Sequence, residues 1–267
     1  MQKSNIETGP WQPLAMQMRS SNPVLSQNFW GNITGTERMT LDGSMKKIGY
    51  LLGVTIITAF ITAAISINAL NTGNAGLIFL LIPIGFAMGF ILAMITFIKR
   101  PKNPAALMTM YAVFEGAAIG AMSLVYESAY PGVVLQAAFG TMGITAAMYV
   151  MYASRIIRPT PMFNKIVGGL VVSIVFLYLT SFILGAFSGY NVPFLHSTGP
   201  IGIGVTLFIL IVASLTLITD FGFIESGTKY GAPKHMEWYA AFGILISLIW
   251  IYVEMIRLLS KIQAFRD

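Results

Sequence analysis

Seven apolar runs, each about as long as a bilayer is thick, follow one another through the chain and constrain its fold more than any other feature. A helix rises about 1.5 Å per residue, so a run of about 20 residues crosses a hydrocarbon core of about 30 Å. Because that core holds no water, each run must satisfy its backbone hydrogen bonds as a helix. The runs cover residues 48–70, 77–98, 105–126, 132–152, 166–187, 201–220 and 238–256. The sequence therefore predicts an all-α integral membrane protein, a seven-helix transmembrane bundle over residues 46–262.

The composition agrees with this interpretation and excludes several classes of function. Hydrophobic residues make up 56% of the chain and charged residues 10%, whereas soluble domains carry about a quarter charged residues. The net charge of +6 comes from short basic clusters between the runs, so we predict a lipid bilayer as the partner and no nucleic acid. The absence of cysteine excludes disulfides, thiol nucleophiles and thiolate-bound metals.

Catalytic chemistry has little support. Both histidines, His196 and His235, fall in connections between runs, and neither a Gly-x-Ser-x-Gly elbow nor a His-Glu-x-x-His zinc motif occurs. An intramembrane hydrolase needs its base or its metal ligands inside the bundle. We therefore predict that the protein is not an enzyme and has no cofactor.

The distribution of Lys and Arg predicts the orientation in the membrane. Five of these residues precede the first run, and three, three and two more lie near 99–102, 155–165 and 229–234. The alternate connections, 71–75, 127–131 and 188–200, contain none. Basic residues in short loops stay on the cytoplasmic side, so the N-terminus is predicted to be cytoplasmic. Residues 1–45 are polar without periodicity and are predicted to be a mostly disordered cytoplasmic tail, and 263–267 a short C-terminal tail.

The last run does not fit this pattern. Seven spans place the C-terminus outside, yet Arg257, Lys261 and Arg266 follow the run. Either the seventh helix spans and the earlier loops determine the orientation, or it is re-entrant and returns to the cytoplasm. The charge count slightly favours the re-entrant alternative.

Three carboxylates lie in or beside the apolar runs, where an ionisable group requires a partner or a water-filled path. Glu115 lies about 16 Å from either end of its run and is predicted to bind a cation or a proton; the alternative is a neutral acid hydrogen-bonded to a neighbouring helix. Asp220 ends its run near the cytoplasmic boundary, either as a functional carboxylate or as a partner for nearby basic residues. Glu254 precedes Arg257 by three residues, the spacing of a helical ion pair.

Four short segments resemble the Bax inhibitor family of membrane proteins, particularly its bacterial YccA-like members. They are FEGAAIG at 114–120, YPGVVLQAAFGT at 130–141, LITDFGFI at 217–224 and AFGILIS at 241–247. The similarity extends from about residue 45 to the end of the chain. It implies a multi-pass protein of the bacterial plasma membrane with six helices around a central seventh.

The resemblance also implies a pH-sensitive calcium leak controlled by two aspartates, with calcium as the transported ion. The first aspartate corresponds to Asp220, and the basic latch that holds it corresponds to Lys99 or Arg100. The second has two possible registers: an ungapped alignment gives Ser247, and a match of Ile-Tyr-Val-Glu at 251–254 gives Glu254.

Geometry separates these two registers. If the seventh helix spans straight, Asp220 and Glu254 lie on opposite sides of the membrane; if it is re-entrant, the two carboxylates can bind calcium together. Some bacterial relatives imply another function, a non-transporting regulator that binds other membrane proteins, such as a quality-control protease, through residues 1–45. The sequence leaves the oligomeric state open.

Overall fold

The computed structural model describes residues 37–74, 76–189 and 192–266, and the chain there forms seven long helices. We label them α1 (Leu41–Asn71), α2 (Gly76–Lys99), α3 (Ala105–Ala129), α4 (Val133–Ala153), α5 (Pro161–Ser188), α6 (Pro200–Lys229) and α7 (Met236–Arg266); a helical turn, Pro193–His196, precedes α6. Each of the seven is long and apolar enough to cross a membrane. The only β pairing among the described residues is an isolated bridge between Arg38 and Pro233. The predicted all-α seven-helix fold is confirmed.

Several helices extend beyond the apolar runs because polar residues form their first and last turns. Thr40 caps α1, its hydroxyl accepting a 3.0 Å bond from the Gly43 amide. As a result α1 begins at Leu41, inside the predicted tail of residues 1–45, and α7 continues to Arg266, inside the predicted tail of 263–267. Helices α1 and α7 therefore extend beyond the predicted bounds of the transmembrane domain, which stay predictions, and the predicted disorder of residues 1–36 lies outside the described residues.

The seventh helix is the central one. In its most apolar window 56% of the residues are buried, against 50% for α3 and α6 and 17–22% for α1, α2, α4 and α5. Each of the other six helices or its adjoining loop contacts α7. These contacts are Lys47 with Glu237, Pro101 with Tyr239, Tyr111 with Phe242, Gly140 with Met255, Tyr178 with Glu254 and Thr216 with Ser247. The predicted arrangement of six helices around a seventh is thus confirmed.

The structure favours the spanning alternative for α7. The helix is continuous over 31 residues, or about 45 Å. Near its start, the Tyr239 hydroxyl donates to the Pro101 carbonyl at the end of α2. Near its end, Lys261 Nζ donates to the carbonyls of Leu195 and Gly202 at the start of α6. Because α7 joins opposite ends of the bundle, nothing in the described residues supports re-entry.

The basic residues that favoured re-entry have partners inside the protein. Arg257 donates to the Tyr178 hydroxyl at 3.0 Å, and Lys261 binds two carbonyls. The charge count treated both as free loop charges, so their internal partners weaken the argument for re-entry that rested on them.

Candidate functional site

Asp220 lies deeper in the bundle than the apolar run indicated. Helix α6 continues nine residues past it, to Lys229, which places Asp220 about 13 Å from the end of the helix. The expected position of Asp220 near the cytoplasmic boundary of the membrane stays a prediction. The helix continues because Gly222, Phe223 and Ile224 are buried against the rest of the bundle.

A chain of hydrogen bonds joins Asp220 to the central helix. Ser247 on α7 donates its hydroxyl to Asp220 Oδ2 at 2.5 Å, and Thr216, one turn before Asp220, donates to the Ser247 oxygen at 2.9 Å. Gly243, one turn before Ser247, leaves room for the carboxylate, because a Cβ there would lie 3.0 Å from Asp220 Oδ1. The structure thus pairs Asp220 with the residue of the ungapped register.

Asp220, Ser247 and Thr216 together supply one carboxylate and two hydroxyls, which are hard oxygen groups of the kind that calcium prefers. No group of three or more His, Asp or Glu side chains that could hold a metal occurs in the part of the chain that the structure describes.

Glu115 is buried between α3 and α2. Its residue is 6% exposed, and its Oε2 has no hydrogen-bond partner among the described residues. The carboxyl packs directly against the backbone of Gly89 on α2, which has no side chain in the way. A Cβ at that position would lie 2.9 Å from Glu115 Cδ and closer still to Oε1. Such a group is tolerable in hydrocarbon when it is protonated or accompanied by a cation. The prediction that it binds one or the other stays a prediction.

The glycine spacings on α2 and α3 explain this close approach. A Cβ on Gly85 would lie 2.7 Å from the Ala118 Cβ, so α2 packs directly on α3. On the other face of α3, a Cβ on Gly120 would lie 2.8 Å from the carbonyl carbon of Ala59 in α1. These small residues bring the backbones together and place α2 over Glu115.

Glu254 lies apart from Asp220, on the part of α7 toward its C-terminal end. Its residue is 1% exposed. Oε1 accepts a 2.8 Å bond from the Tyr178 hydroxyl of α5, while the nearest nitrogen of Arg257 lies 3.4 Å away. Oε2 has no partner among the described residues. The three-residue spacing to Arg257 does form an ion pair, but the structure does not bring Glu254 to the Asp220 site.

The two latch candidates lie at the end of α2. Lys99 is exposed, and Arg100 is half-buried with a left-handed backbone (φ 44°) that ends the helix. Arg100 Nε donates to the Phe97 carbonyl at 3.3 Å. A latch contact between either residue and Asp220 stays a prediction.

A further buried carboxylate, Glu237, was missed by sequence reasoning. It lies in the first turn of α7 with no exposed surface. It accepts bonds from the Thr40 amide (2.9 Å), the Thr40 hydroxyl (3.0 Å) and Lys47. The sequence pattern indicates this contact only weakly, because Glu237 and Lys47 both precede apolar runs at positions that usually face water.

The residues before α1 join this contact, and we call residues 37–47 together with 231–238 the N-terminal clasp. Met39 N donates to the Ala232 carbonyl at 2.6 Å, and Lys234 N donates to the Glu37 carbonyl at 3.1 Å. Burial, followed by the charge of Lys102, lowers the pKa of His235, so this ring adds no charge beside Glu237 at neutral pH. The clasp fixes the start of α1 to the start of the central helix.

Comparison with known proteins gives one match. A family model described as "Bax inhibitor 1 like" matches residues 22–264, which is about nine tenths of the chain and covers the seven long helices except the last two residues of α7. The comparisons with curated proteins and with solved structures found no significant match.

Proposed function

The chain belongs to the Bax inhibitor 1 like family of multi-pass membrane proteins, and from this premise we propose that it is a cation leak of the bacterial plasma membrane. The proposed permeant ion is calcium, and the proposed gate is the Asp220 carboxylate on α6. Ser247 on the central helix is the gate's partner. The N-terminus is cytoplasmic in this proposal, in agreement with the basic residues at that end of the bundle.

One observation carries the proposal: a carboxylate is held inside the bundle by a hydroxyl of the central helix. The Asp220–Ser247 bond is 2.5 Å long and joins α6 to α7 about 13 Å from the end of α6. An acidic side chain at this depth is costly unless it has a partner or a water-filled path, and such residues commonly mark paths for ions or protons. Its place at the interface with the central helix means that a small movement of α7 changes the access to it.

The proposed pH response follows from the charge of this carboxylate. When ionised, Asp220 attracts a cation, and the Ser247 and Thr216 hydroxyls can turn their oxygens toward the ion. When protonated, Asp220 carries no charge and the attraction is lost, so the flux falls as the pH falls. With Ser247 in place of a second carboxylate, no proton is shared between two acids, and we expect a gradual, single-site titration.

The test is calcium flux into liposomes containing purified protein, measured across pH. We expect Asp220→Asn to lower the flux about tenfold and to remove its pH dependence. Glu225→Gln is the matched control, because Glu225 lies on the same helix but pairs at the surface with Arg155 at 2.7 Å. An Asp220→Asn protein that conducts like the wild type would reject the proposed gate.

We propose as a second candidate function a regulator that binds other membrane proteins through the polar tail of residues 1–45, whose end the N-terminal clasp joins to the start of α7. Glu37 in this tail is bonded to Lys234 beside the start of α7. Deletion of 1–36 preserves the Thr40 cap and the clasp. Loss of association with a membrane protease, with unchanged flux, would support this function, whereas unchanged association would contradict it.

A further inference from the structure

We propose that residues 155–165, which connect α4 to α5 and include the first turns of α5, bind anionic phospholipids in the leaflet at the basic end of the bundle. Arg158 and Lys165 bind the phosphate of the headgroup, and Ile156 and Met162 contact the start of the acyl chains. This binding surface goes beyond the proposed leak and does not depend on it.

Two basic side chains of this connection are available to an anion. The connection carries three positive charges and no acidic residue. Arg155 pairs with Glu225 of α6 at 2.7 Å, whereas Arg158 and Lys165 are exposed and form no ion pair among the described residues. A guanidinium binds phosphate oxygens through its fork of donors, and an ammonium attracts them as a point charge. The connection therefore offers a phosphate group two unpaired cations.

Two large apolar side chains lie beside these charges on the surface. Ile156 is 73% exposed and Met162 is 72% exposed. Met162 lies in the first turn of α5, which is long and apolar enough to span a membrane and only 17% buried in its apolar window. Exposed apolar side chains next to Lys and Arg at the end of such a helix fit the boundary between headgroups and acyl chains. An acidic protein segment matches the charges alone, whereas an anionic phospholipid matches both features.

Contacts with α4 and α6 hold the connection in this arrangement. The backbone of Arg155 is left-handed (φ 61°), a conformation that is uncommon outside glycine and persists where the surroundings fix it. The Arg155 guanidinium lies over the Tyr152 ring at 5.8 Å and donates to Glu225 Oε1. The side chain of Arg155 is thus directed toward α6, while that of Ile156, the next residue, stays exposed.

The connection also packs on α6 on both sides of Asp220. The Thr219 hydroxyl donates to Asn164 Oδ1 at 3.2 Å, and a Cβ on Gly222 would lie 2.5 Å from Pro159 Cγ. A lipid that binds the connection in this packed state, and not in the unfolded chain, stabilises the fold. Lipid binding should therefore be visible in the thermal transition as well as in direct binding.

The test measures the apparent dissociation constants of phosphatidylglycerol and phosphatidylcholine for the full-length protein in detergent by native mass spectrometry. We expect the wild type to bind phosphatidylglycerol about tenfold more tightly, and the double variant Arg158→Gln/Lys165→Gln to lose this preference. The double variant Ile156→Ser/Met162→Ser keeps both charges and should bind phosphatidylglycerol about threefold more weakly than the wild type. Unchanged binding by this second variant would reject the contact with the acyl chains and overturn the inference.

The matched control is the double variant Lys46→Gln/Lys102→Gln, which removes two exposed positive charges from the same end of the bundle but outside the connection. It should keep the tenfold preference. Each variant is first checked for a single monodisperse peak. Equal losses in the control and in Arg158→Gln/Lys165→Gln would show a general electrostatic attraction and overturn the inference, as would a wild type without any preference.

A thermal assay separates a lipid site from a site for soluble phosphate. Phosphatidylglycerol should raise the thermal transition of the wild type by about 3 °C relative to phosphatidylcholine, and should not raise that of Arg158→Gln/Lys165→Gln. The same rise with glycerol phosphate in solution would assign a soluble anion and overturn the lipid. Neither assay measures calcium flux, so their results stand apart from those that test the proposed gate.

Discussion

Asp220 and Ser247 form a pair of one carboxylate and one hydroxyl, at the position where the ungapped register of the resemblance implies two aspartates. The resemblance implied two aspartates, and the structure brings Asp220 to a serine hydroxyl at 2.5 Å. A hydroxyl can donate to the ionised acid and can accept from the protonated one. The carboxylate is therefore stabilised in both states, and the protein does not need to hold a proton between two like charges.

Replacing Ser247 with aspartate should restore the pair and change the pH response. Two carboxylates at this distance repel each other when both are ionised, so one keeps its proton to a higher pH. In the liposome assay we expect Ser247→Asp to close at a higher pH than the wild type. Ser247→Ala, which removes the hydroxyl without adding a charge, should retain the single-site curve. Identical pH curves for Ser247→Asp and Ser247→Ala would contradict this assignment.

The seven helices could be predicted from the sequence, whereas the contacts between residues of different helices could not. Seven spans follow from apolar length alone, and the glycine spacings on α2 and α3 correctly indicated close packing. The continuation of α6 past Asp220 was not predicted, because Gly222 and Phe223 extend the helix through contacts that a hydropathy pattern does not reveal. Likewise, the bond from Tyr178 to Glu254 joins residues 76 positions apart. Such a pairing depends on how α5 packs on α7, which one sequence does not specify.

The N-terminal clasp links the first and last helices by a buried ion pair. Side-chain exposure is 18% for Lys47 and zero for Glu237. Removing one partner of a buried pair leaves the other charge uncompensated. The clasp therefore stabilises the packing of α1 on the central helix. The two residues that it joins are 190 positions apart in the chain.

Breaking this pair should destabilise the fold, and Glu237→Gln is the direct test. We expect a loss of about 3 kcal/mol in the free energy of unfolding, seen as a lower thermal transition of the detergent-solubilised protein. Asp42→Asn is the matched control, since it breaks the fully surface-located pair with Lys46, whose side chains are 75% and 76% exposed. That change should cost almost nothing. Equal losses in the two variants would show that the clasp is not a buried electrostatic link.

Over the whole molecule, the two ends of the bundle differ in charge. The connections at one end, 99–102, 155–165 and 229–234, are basic, whereas the opposite connections, 71–75, 127–131 and 188–200, carry no Lys or Arg. At that opposite end, Glu127 accepts bonds from the amides of Gly132 and Val134 at the start of α4. The basic residues Arg257 and Lys261 also lie toward that end, but as internal partners. The charge asymmetry therefore agrees with a cytoplasmic N-terminus and with an α7 that spans.

The chain contains no cysteine, so single cysteines can report this orientation without background. Asn103, Ser128 and Phe265 are exposed and lie respectively between α2 and α3, at the end of α3, and at the end of α7. In intact spheroplasts a membrane-impermeant maleimide should label Ser128→Cys and Phe265→Cys at once, and Asn103→Cys only after lysis. Labelling of Asn103→Cys alone would show that the topology is the inverse of the proposed one. Protection of Phe265→Cys together with Asn103→Cys would mean that α7 returns to the cytoplasm and does not span.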